Sequence, residues 1–444
     1  MHIILLSGGS GKRLWPLSND IRSKQFIKLF KNSDGSFESM LNRVYNQIKH
    51  VDKDINITVA TSETQVPAIR NQLGDKVSIS IEPCRRDTFP AIALSCAYLH
   101  DILNISDDEV VAVCPVDPYV EDSYYKSVKK LENIVNKHTA NLTLMGIKPT
   151  YPSEKYGYII PKEENADGIT IVKEFKEKPD TETAKMYLLQ GALWNAGVFA
   201  FKLGWLMDKA HQLINFSDYN DLYKNFAIAP KISFDYAVVE KEPSIQMLQY
   251  NGEWKDVGTW NTMTEVMSEK VVGNAFIDEK CINTNVINEL NIPLLAMGCK
   301  DLIIAASNDG ILVSDKELSD YMKPYVEKIS GQPKVADKIW GSYKVIDFTK
   351  LENGTQILTS NLVIKSGSQF SYHSHALRSE TWVITNGQGS VVLDGIEKTV
   401  KAGDSITIKA GVKHTLKAVT DMTVIEVQSG KEISSQDKKL VTNE

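Results

Sequence analysis

The pattern of apolar runs changes character once along the chain, and that change calls for two kinds of folding unit. In the first half, Ile3–Leu6, Ile57–Ala60, Val110–Cys114 and Leu142–Ile147 are short runs rich in β-branched side chains, as expected of strands buried on both faces. Helix-like stretches lie between them at Ser36–Ile48, Thr88–Leu103 and Ser123–Asn136. This alternation predicts an α/β unit with a mixed, mostly parallel sheet and helices on both faces. From about residue 335 the strands crowd together. Leu362–Ile364, Thr381–Thr385, Ser390–Leu393, Ser405–Ile408 and Met422–Gln428 are punctuated by Gly387-Gln388-Gly389, Asp394-Gly395 and Ala402-Gly403-Asp404. Closely spaced strands with turn signals predict an all-β sandwich or small barrel. A short β-rich segment connects the two, with strands at Leu302–Ala306 and Ile311–Val313 and one helix at Asp315–Lys328. The breaker-rich Ser330-Gly331-Gln332-Pro333-Lys334 is the expected hinge. The expected boundaries are 1–264, 265–332 and 333–444.

Composition narrows the function. A chain of 444 residues exceeds one ordinary core. With 50 basic against 56 acidic residues and net charge −6, neither nucleic acid nor an anionic membrane is an expected partner. Five cysteines without a C-x-x-C pair point to a reduced, cytoplasmic setting rather than a disulfide framework. The apolar run Ile3–Leu6 is too short for a signal core or a membrane span.

The loop Leu6-Ser7-Gly8-Gly9-Ser10-Gly11-Lys12-Arg13-Leu14 directly follows the first strand. Glycines let backbone N–H groups crowd round a polyanion, and Lys12 and Arg13 add charge. A Walker A loop is excluded because Leu6 and Arg13 stand where it needs Gly and Ser or Thr. The dinucleotide fingerprint is excluded because Leu14 stands at its third glycine.

Leu14-Trp15-Pro16-Leu17-Ser18 and Lys24-Gln25-Phe26 resemble the signature of sugar-nucleotide pyrophosphorylases, in particular bacterial mannose-1-phosphate guanylyltransferases. Glu82-Pro83-x-x-Arg86-Asp87-Thr88 looks like that family's purine-reading segment. Tyr156-Gly157-Tyr158-Ile159, Glu174-Phe175-Lys176-Glu177-Lys178-Pro179, Trp194-Asn195-Ala196-Gly197, Phe234-Asp235-Tyr236-Ala237 and Trp254-Lys255-Asp256-Val257-Gly258-Thr259-Trp260 follow in the family's order. The resemblance implies a nucleotidyltransferase sheet in which a sugar-1-phosphate oxygen attacks the α-phosphorus of GTP and pyrophosphate leaves. It implies that Arg13 grips the pyrophosphate, Lys24 neutralises the α-phosphate and Lys178 holds the sugar phosphate. Asp117 and Asp256 then supply oxygens to Mg²⁺. Leu6, Ser7, Gly8, Gly9, Gly11, Lys12, Glu82, Pro83, Arg86 and Thr88 would hold the nucleotide, and Gly157, Glu174 and Asn195 the sugar side. Val116 and Pro118 flank Asp117 where the family has Ser and His, Ser23 replaces a proline and Phe89 a small residue. The sugar stays open.

A second constellation is Gly367-x5-His373-x-His375-x4-Glu380-x6-Gly387, then Gly403-x7-Gly411-x2-His414. Residues two apart on a strand share a face, so His373 and His375 can meet one ion. With Glu380 and His414 they make an N₃O set suited to Mn, Fe, Ni or Zn. These intervals resemble the cupin fold. Trp340-Gly341-Ser342-Tyr343 and Ile425-Glu426-Val427-Gln428-Ser429-Gly430 resemble the isomerase domain of bifunctional mannose-6-phosphate isomerase/mannose-1-phosphate guanylyltransferases. Four residues separate His375 from Glu380 where that family has two, and Thr381 replaces a histidine. Weak or absent isomerase activity is therefore expected, with Arg378 left as a candidate phosphate holder. Three readings stand: a GTP-using transferase with an attached cupin, the full bifunctional enzyme, and a sugar-nucleotide-binding regulator. A homodimer or higher homo-oligomer is expected.

Overall fold

The computed structural model of the chain describes residues 1–9, 12–19, 21–32, 34–164, 168–329 and 333–441. It divides into two compact units. Met1–Gly9, Gln25–Val66 and Leu73–Ser268 form the first, and Ser10–Lys24, Pro67–Gln72 and Glu269–Glu444 the second.

Among the described residues the first unit is built on a nine-stranded sheet. Its order is Ser78–Glu82, Asn56–Ser62, His2–Leu6, Val110–Pro115, Leu193–Lys202, Leu142–Ile147, Ile245–Tyr250, Ile169–Lys176 and Tyr158–Glu164. Leu193–Lys202 and Ile169–Lys176 run against the other seven, so the sheet is mixed with one prevailing direction. The central strands are apolar at successive positions because both faces are covered: Ile3, Ile4 and Leu5 are at most 1% exposed and Val111 to Cys114 not at all. Met40–Val51 packs on Asp122–Asn136, while Thr88–Ala97 packs on Leu203–Leu213 and Phe234–Ala237.

Two expected helices differ at their ends. The helix predicted from Ser36 starts at Met40, because Phe37–Ser39 first pairs with Lys28–Lys31 and the Ser39 hydroxyl then caps the Asn42 N–H at 3.2 Å. The helix from Thr88 loosens after Ala97 into a π-helical stretch, Tyr98–Ile102.

The parallel register aligns the carboxyl ends of four strands: Leu6 lies opposite both Ala60 and Pro115, and Ser62 opposite Glu82. The loops that follow these strands therefore leave one edge of the sheet, where ligands of open α/β sheets bind.

In the second unit, Val271–Gly273, Asn285–Asn288 and Leu302–Ser307 stack in parallel, as do Ala275–Ile277 and Leu294–Ala296. These short coils close on Val286, Ala296 and Ile304. The single helix predicted over Asp315–Lys328 is not formed. A 3₁₀ turn, Leu318–Tyr321, is followed by a separate short helix, Lys323–Val326. Pro324 explains the break, since its ring clashes with a preceding helical turn but suits a helix start.

Beyond lies a six-stranded sheet of Val335–Lys338, Gly341–Lys350, Gln356–Ile364, Met422–Gly430, Arg378–Asn386 and Ser405–Ile408. A five-stranded sheet contains Ile396–Lys401, Gln388–Leu393, His414–Ala418, His373–His375 and Lys438–Leu440. Leu362, Trp382, Ile384 and Val424 from the first share a core with Val391, Val400 and Leu416 from the second, the packing of an all-β cupin barrel. Of the expected hinge, residues 330–332 lie outside the described residues. No described helix is long and apolar enough to cross a membrane.

Candidate functional site

Ser7, Gly8 and Gly9 leave the first strand as a braced loop. The Ser7 N–H donates to Ala60 O at 2.9 Å, and the Gln25 amide donates to the Ser7 carbonyl and hydroxyl at 2.9 and 3.0 Å. Gln65 donates to Gly9 O at 3.2 Å while accepting from the Thr61 hydroxyl at 2.8 Å. Gly9 has φ +127, a conformation that side chains rarely adopt. A Cβ on Gly8 would lie 3.7 Å from Glu82 Oε1, so the parallel register brings the Glu82 carboxylate up to the loop. Burial pushes the Glu82 carboxyl up to about 7, with Arg85 pulling the other way.

The segment after Glu82 is held at its far end: Thr88 N–H donates to Asp87 Oδ1 at 2.8 Å, and the Thr88 hydroxyl accepts from Phe234 N–H at 2.8 Å. Pro83 is exposed, and Arg86 Nε is buried without a hydrogen-bond partner among the described residues. Leu6 is half-buried at the strand end. Gly11 lies outside the described residues. Half-buried Lys12 and exposed Arg13 share the 3₁₀ turn Lys12–Leu14, and half-buried Lys24 opens another, Lys24–Phe26. All three belong to the second compact unit.

Asp117 and Asp256, remote in sequence, are brought together. Val116 N–H donates to Leu6 O at 3.3 Å, which fixes the exit of the strand before Asp117. Trp254–Asp256 then pairs antiparallel with Pro118–Val120 and sets Asp256 opposite Pro118, one residue from Asp117. Both aspartates are half-buried. Burial first, then Asp256, and further down Asp117, raise the Tyr156 phenol well above its ordinary range, so this ring senses both carboxylates. Tyr156 is packed between Trp194 at 4.7 Å and Trp254 at 5.6 Å.

Beside them, Asn195 N–H donates to Gly157 O at 2.8 Å and its amide to Asp235 Oδ1 at 2.9 Å. Lys178 pairs with Glu177 at 2.5 Å, and Glu177 is buried. A Cβ on Gly157 would fall 2.6 Å from both Glu177 Oε2 and the Phe175 ring, so a side chain there would force one or both to shift. Burial, then Glu177, push the Asp235 carboxyl up to about 7. Glu174 does not join this group. It is exposed on Ile169–Lys176 and lines a separate surface cavity with Glu240 and Glu242. Glu177, just past the end of that strand, lies instead against Lys178 and Gly157.

In the β-barrel all four expected ligands meet. Ring nitrogens of His373, His375 and His414 lie within 4.8 Å of one another, because His373 pairs directly with His414 across the five-stranded sheet. Glu380, from the other sheet, places its oxygens 3.1 Å from His375 Nε2 and 3.4 Å from His414 Nε2. Nδ1 of His373 and of His414 is bound to a backbone carbonyl, Ser371 O at 2.6 Å and Val412 O at 2.9 Å. That arrangement fixes the tautomer and leaves Nε2 for an ion. Buried His375 Nδ1 and His414 Nε2 have no hydrogen-bond partner among the described residues. Burial, then Lys438, push His373 down to about 3, and a neutral imidazole is the form that ligates. The residues fit a divalent metal.

Arg378 is placed otherwise than expected. Buried at 7% exposure, it spends its guanidinium on Glu380 Oε1 at 3.3 Å and Ser434 O at 2.9 Å, and approaches His375 Nε2 at 3.1 Å. Glu426, in the Ile425–Gly430 segment, is a buried carboxyl that the sequence did not single out. It accepts from Trp382 Nε1 at 3.1 Å and Gln428 Nε2 at 2.9 Å, and burial raises its carboxyl above the ordinary range.

This geometry agrees with the likenesses of the sequence. Residues 2–271 match the nucleotidyl transferase family and residues 329–442 the mannose-6-phosphate isomerase C-terminal family. The xanthan biosynthesis protein XanB of Xanthomonas campestris pv. campestris (strain B100) is 30% identical over 419 residues, covering 87% of this chain and 86% of that protein. A mannose-1-phosphate guanylyltransferase of Escherichia coli (strain K12) is 28% identical over 436 residues, covering 89% and 87%. Among solved structures, a mannose-1-phosphate geranyltransferase from Thermus thermophilus superposes with TM-score 0.61 at 25% identity, over 74% of this chain and 98% of that one. The chain belongs to the nucleotidyl transferase family. It is a sugar-1-phosphate nucleotidyltransferase that carries a C-terminal isomerase-type domain.

The Glu82 carboxyl makes a pH prediction. Its folded value near 7 exceeds the ordinary 4.5, so between those pH values the unfolded chain holds fewer protons and stability falls as pH rises. Urea unfolding of Glu82→Gln should lose that component, flattening the decline by up to about 1.4 kcal/mol per pH unit. An unchanged slope between pH 5 and 7 would show Glu82 to be ordinarily ionised.

Proposed function

We propose that the chain transfers GMP from GTP to mannose-1-phosphate, giving GDP-mannose and pyrophosphate with Mg²⁺. The observation that carries this is the pairing that sets Asp256 beside Asp117 at the carboxyl edge of the sheet. The relatives named mannose-1-phosphate guanylyltransferase support the choice of sugar and base. A sugar-phosphate oxygen attacks the α-phosphorus, a P–O bond forms, and the bond to the β-phosphate oxygen breaks.

The protein's work is positioning and charge neutralisation. The Ser7–Gly9 backbone and Lys12 hold the triphosphate, with Arg13 on the leaving pyrophosphate and Lys24 near the α-phosphate. Glu82 to Thr88 read the guanine edge, whose donors and acceptors a mismatched base leaves unpaired. Lys178, with Glu177, Gly157 and Asn195, holds the sugar phosphate. Asp117 and Asp256 would hold Mg²⁺, which offsets phosphate charge when bound. A binding-only regulator needs no such carboxylate pair, which disfavours that reading.

In the barrel, His373, His375, Glu380 and His414 would hold one Mn, Fe, Ni or Zn ion. The match of residues 329–442 favours a second reading, in which this domain also interconverts mannose-6-phosphate and fructose-6-phosphate. The engagement of Arg378 with Glu380 and Ser434 argues for weak activity there. The three-part division at 264 and 332, a cytoplasmic setting and a homo-oligomer complete the proposal. A role in polysaccharide precursor supply fits the relative named for xanthan biosynthesis.

Two tests follow. In a pyrophosphate-release assay across nucleoside triphosphates, GTP should lead, and Asp117→Asn and Asp256→Asn should each lose at least about a hundredfold in kcat. Near-wild-type turnover at saturating Mg²⁺, or equal use of UTP, would overturn the corresponding role. Elemental analysis of the purified chain should find about one transition metal in the wild type and much less in His414→Ala. An equal content in both would remove His414 from the ligand set.

A further inference from the structure

Two thiols separated by 18 positions are brought together by the stacked coils of the second unit. Ile282 and Lys300 form a parallel bridge, with Ile282 N–H donating to Cys299 O at 2.8 Å and Asp301 N–H to Ile282 O at 3.0 Å. Cys281 precedes one bridge residue and Cys299 the other, so the two cysteines are neighbours on adjacent coils with side chains on one face. Adjacent strands lie about 4.8 Å apart, inside the Cα span a disulfide bridges. The Cys299 N–H donates to Cys281 Sγ at 3.4 Å, so that sulfur already lies against the backbone of the other cysteine. Asp278 steadies the pair: its Oδ1 accepts from the Cys281 thiol at 3.1 Å and from Gly298 N–H at 2.8 Å. Both thiols are half-buried and within reach of a small oxidant, whereas Cys96 and Cys114 are fully enclosed.

We propose that Cys281 and Cys299 are a redox modification site that closes reversibly into an intramolecular disulfide by exchange with a low-molecular-weight disulfide of the glutathione type. Cys299 gives its proton to solvent and attacks the small disulfide; the S–S bond breaks, one small thiolate leaves and takes up a proton, and a mixed disulfide remains. Cys281 then releases its proton to solvent past Asp278 and attacks Cys299 Sγ. The new S–S bond forms and the second small thiol departs. Two protein thiols are oxidised and one small disulfide is reduced to two thiols. Burial and the Asp278 carboxylate hold the Cys281 thiol above its ordinary value, which makes it the resolving partner.

The test is intact-mass and peptide mass spectrometry of the full chain incubated with oxidised glutathione. The wild type should lose about 2 Da, reversibly with dithiothreitol, and yield a peptide joining residues 281 and 299. Cys281→Ser should instead retain a glutathione adduct on Cys299, since the resolving thiol is gone. Wild-type protein that only accumulates stable adducts on these cysteines, or fails to react, would overturn the proposal.

Discussion

The short ladder between Pro118–Val120 and Trp254–Asp256 is the interaction on which the chemistry proposed for the first unit depends. Two half-buried carboxylates one ladder step apart repel each other, and nothing in their local sequences would hold them together. The backbone pairing does so, and the exit of the preceding strand is fixed by the Val116–Leu6 bond. In the proposed function that repulsion is what a divalent cation would offset.

Around that pair the sheet supplies rigidity and the loops supply chemistry. Parallel register sets Leu6, Ser62, Glu82 and Pro115 at one edge, so the glycine loop, the Glu82 segment and Asp117 leave from common ground. Glu82 and Asp235 both carry carboxyls raised by burial. Glu82 Oε1 lies 3.7 Å from where a Cβ on Gly8 would stand, and Asp235 accepts from the Asn195 amide at 2.9 Å. Desolvated acids at such places cost stability at neutral pH, a cost characteristic of functional sites.

Most of this was legible in sequence because strand burial and motif order are local signals. Val110–Cys114 and Leu142–Ile147 read as strands since their side chains are nearly all apolar, Thr143 being the exception, and they are buried throughout. The convergence of His373, His375, Glu380 and His414 was legible because His-x-His on a strand and glycine turns constrain the rest. What sequence hid was long-range or competitive. The exposure of Glu174, apart from the Asn195–Gly157 group, depends on which face of its strand packs inward. The helix over Asp315–Lys328 ignored Pro324. The fate of Arg378 depended on Ser434, 56 positions away. The union of Cys281 with Cys299 depended on coil stacking that no local pattern announces.

The carboxylate pair is tested most directly by Mn²⁺ binding, followed by electron paramagnetic resonance on the full chain with GTP present. Wild-type protein should hold a class of bound Mn²⁺ that disappears in both Asp117→Asn and Asp256→Asn while the fold persists by circular dichroism. Retention of that class at unchanged affinity in either variant would contradict a shared metal site built by the Asp256–Pro118 pairing.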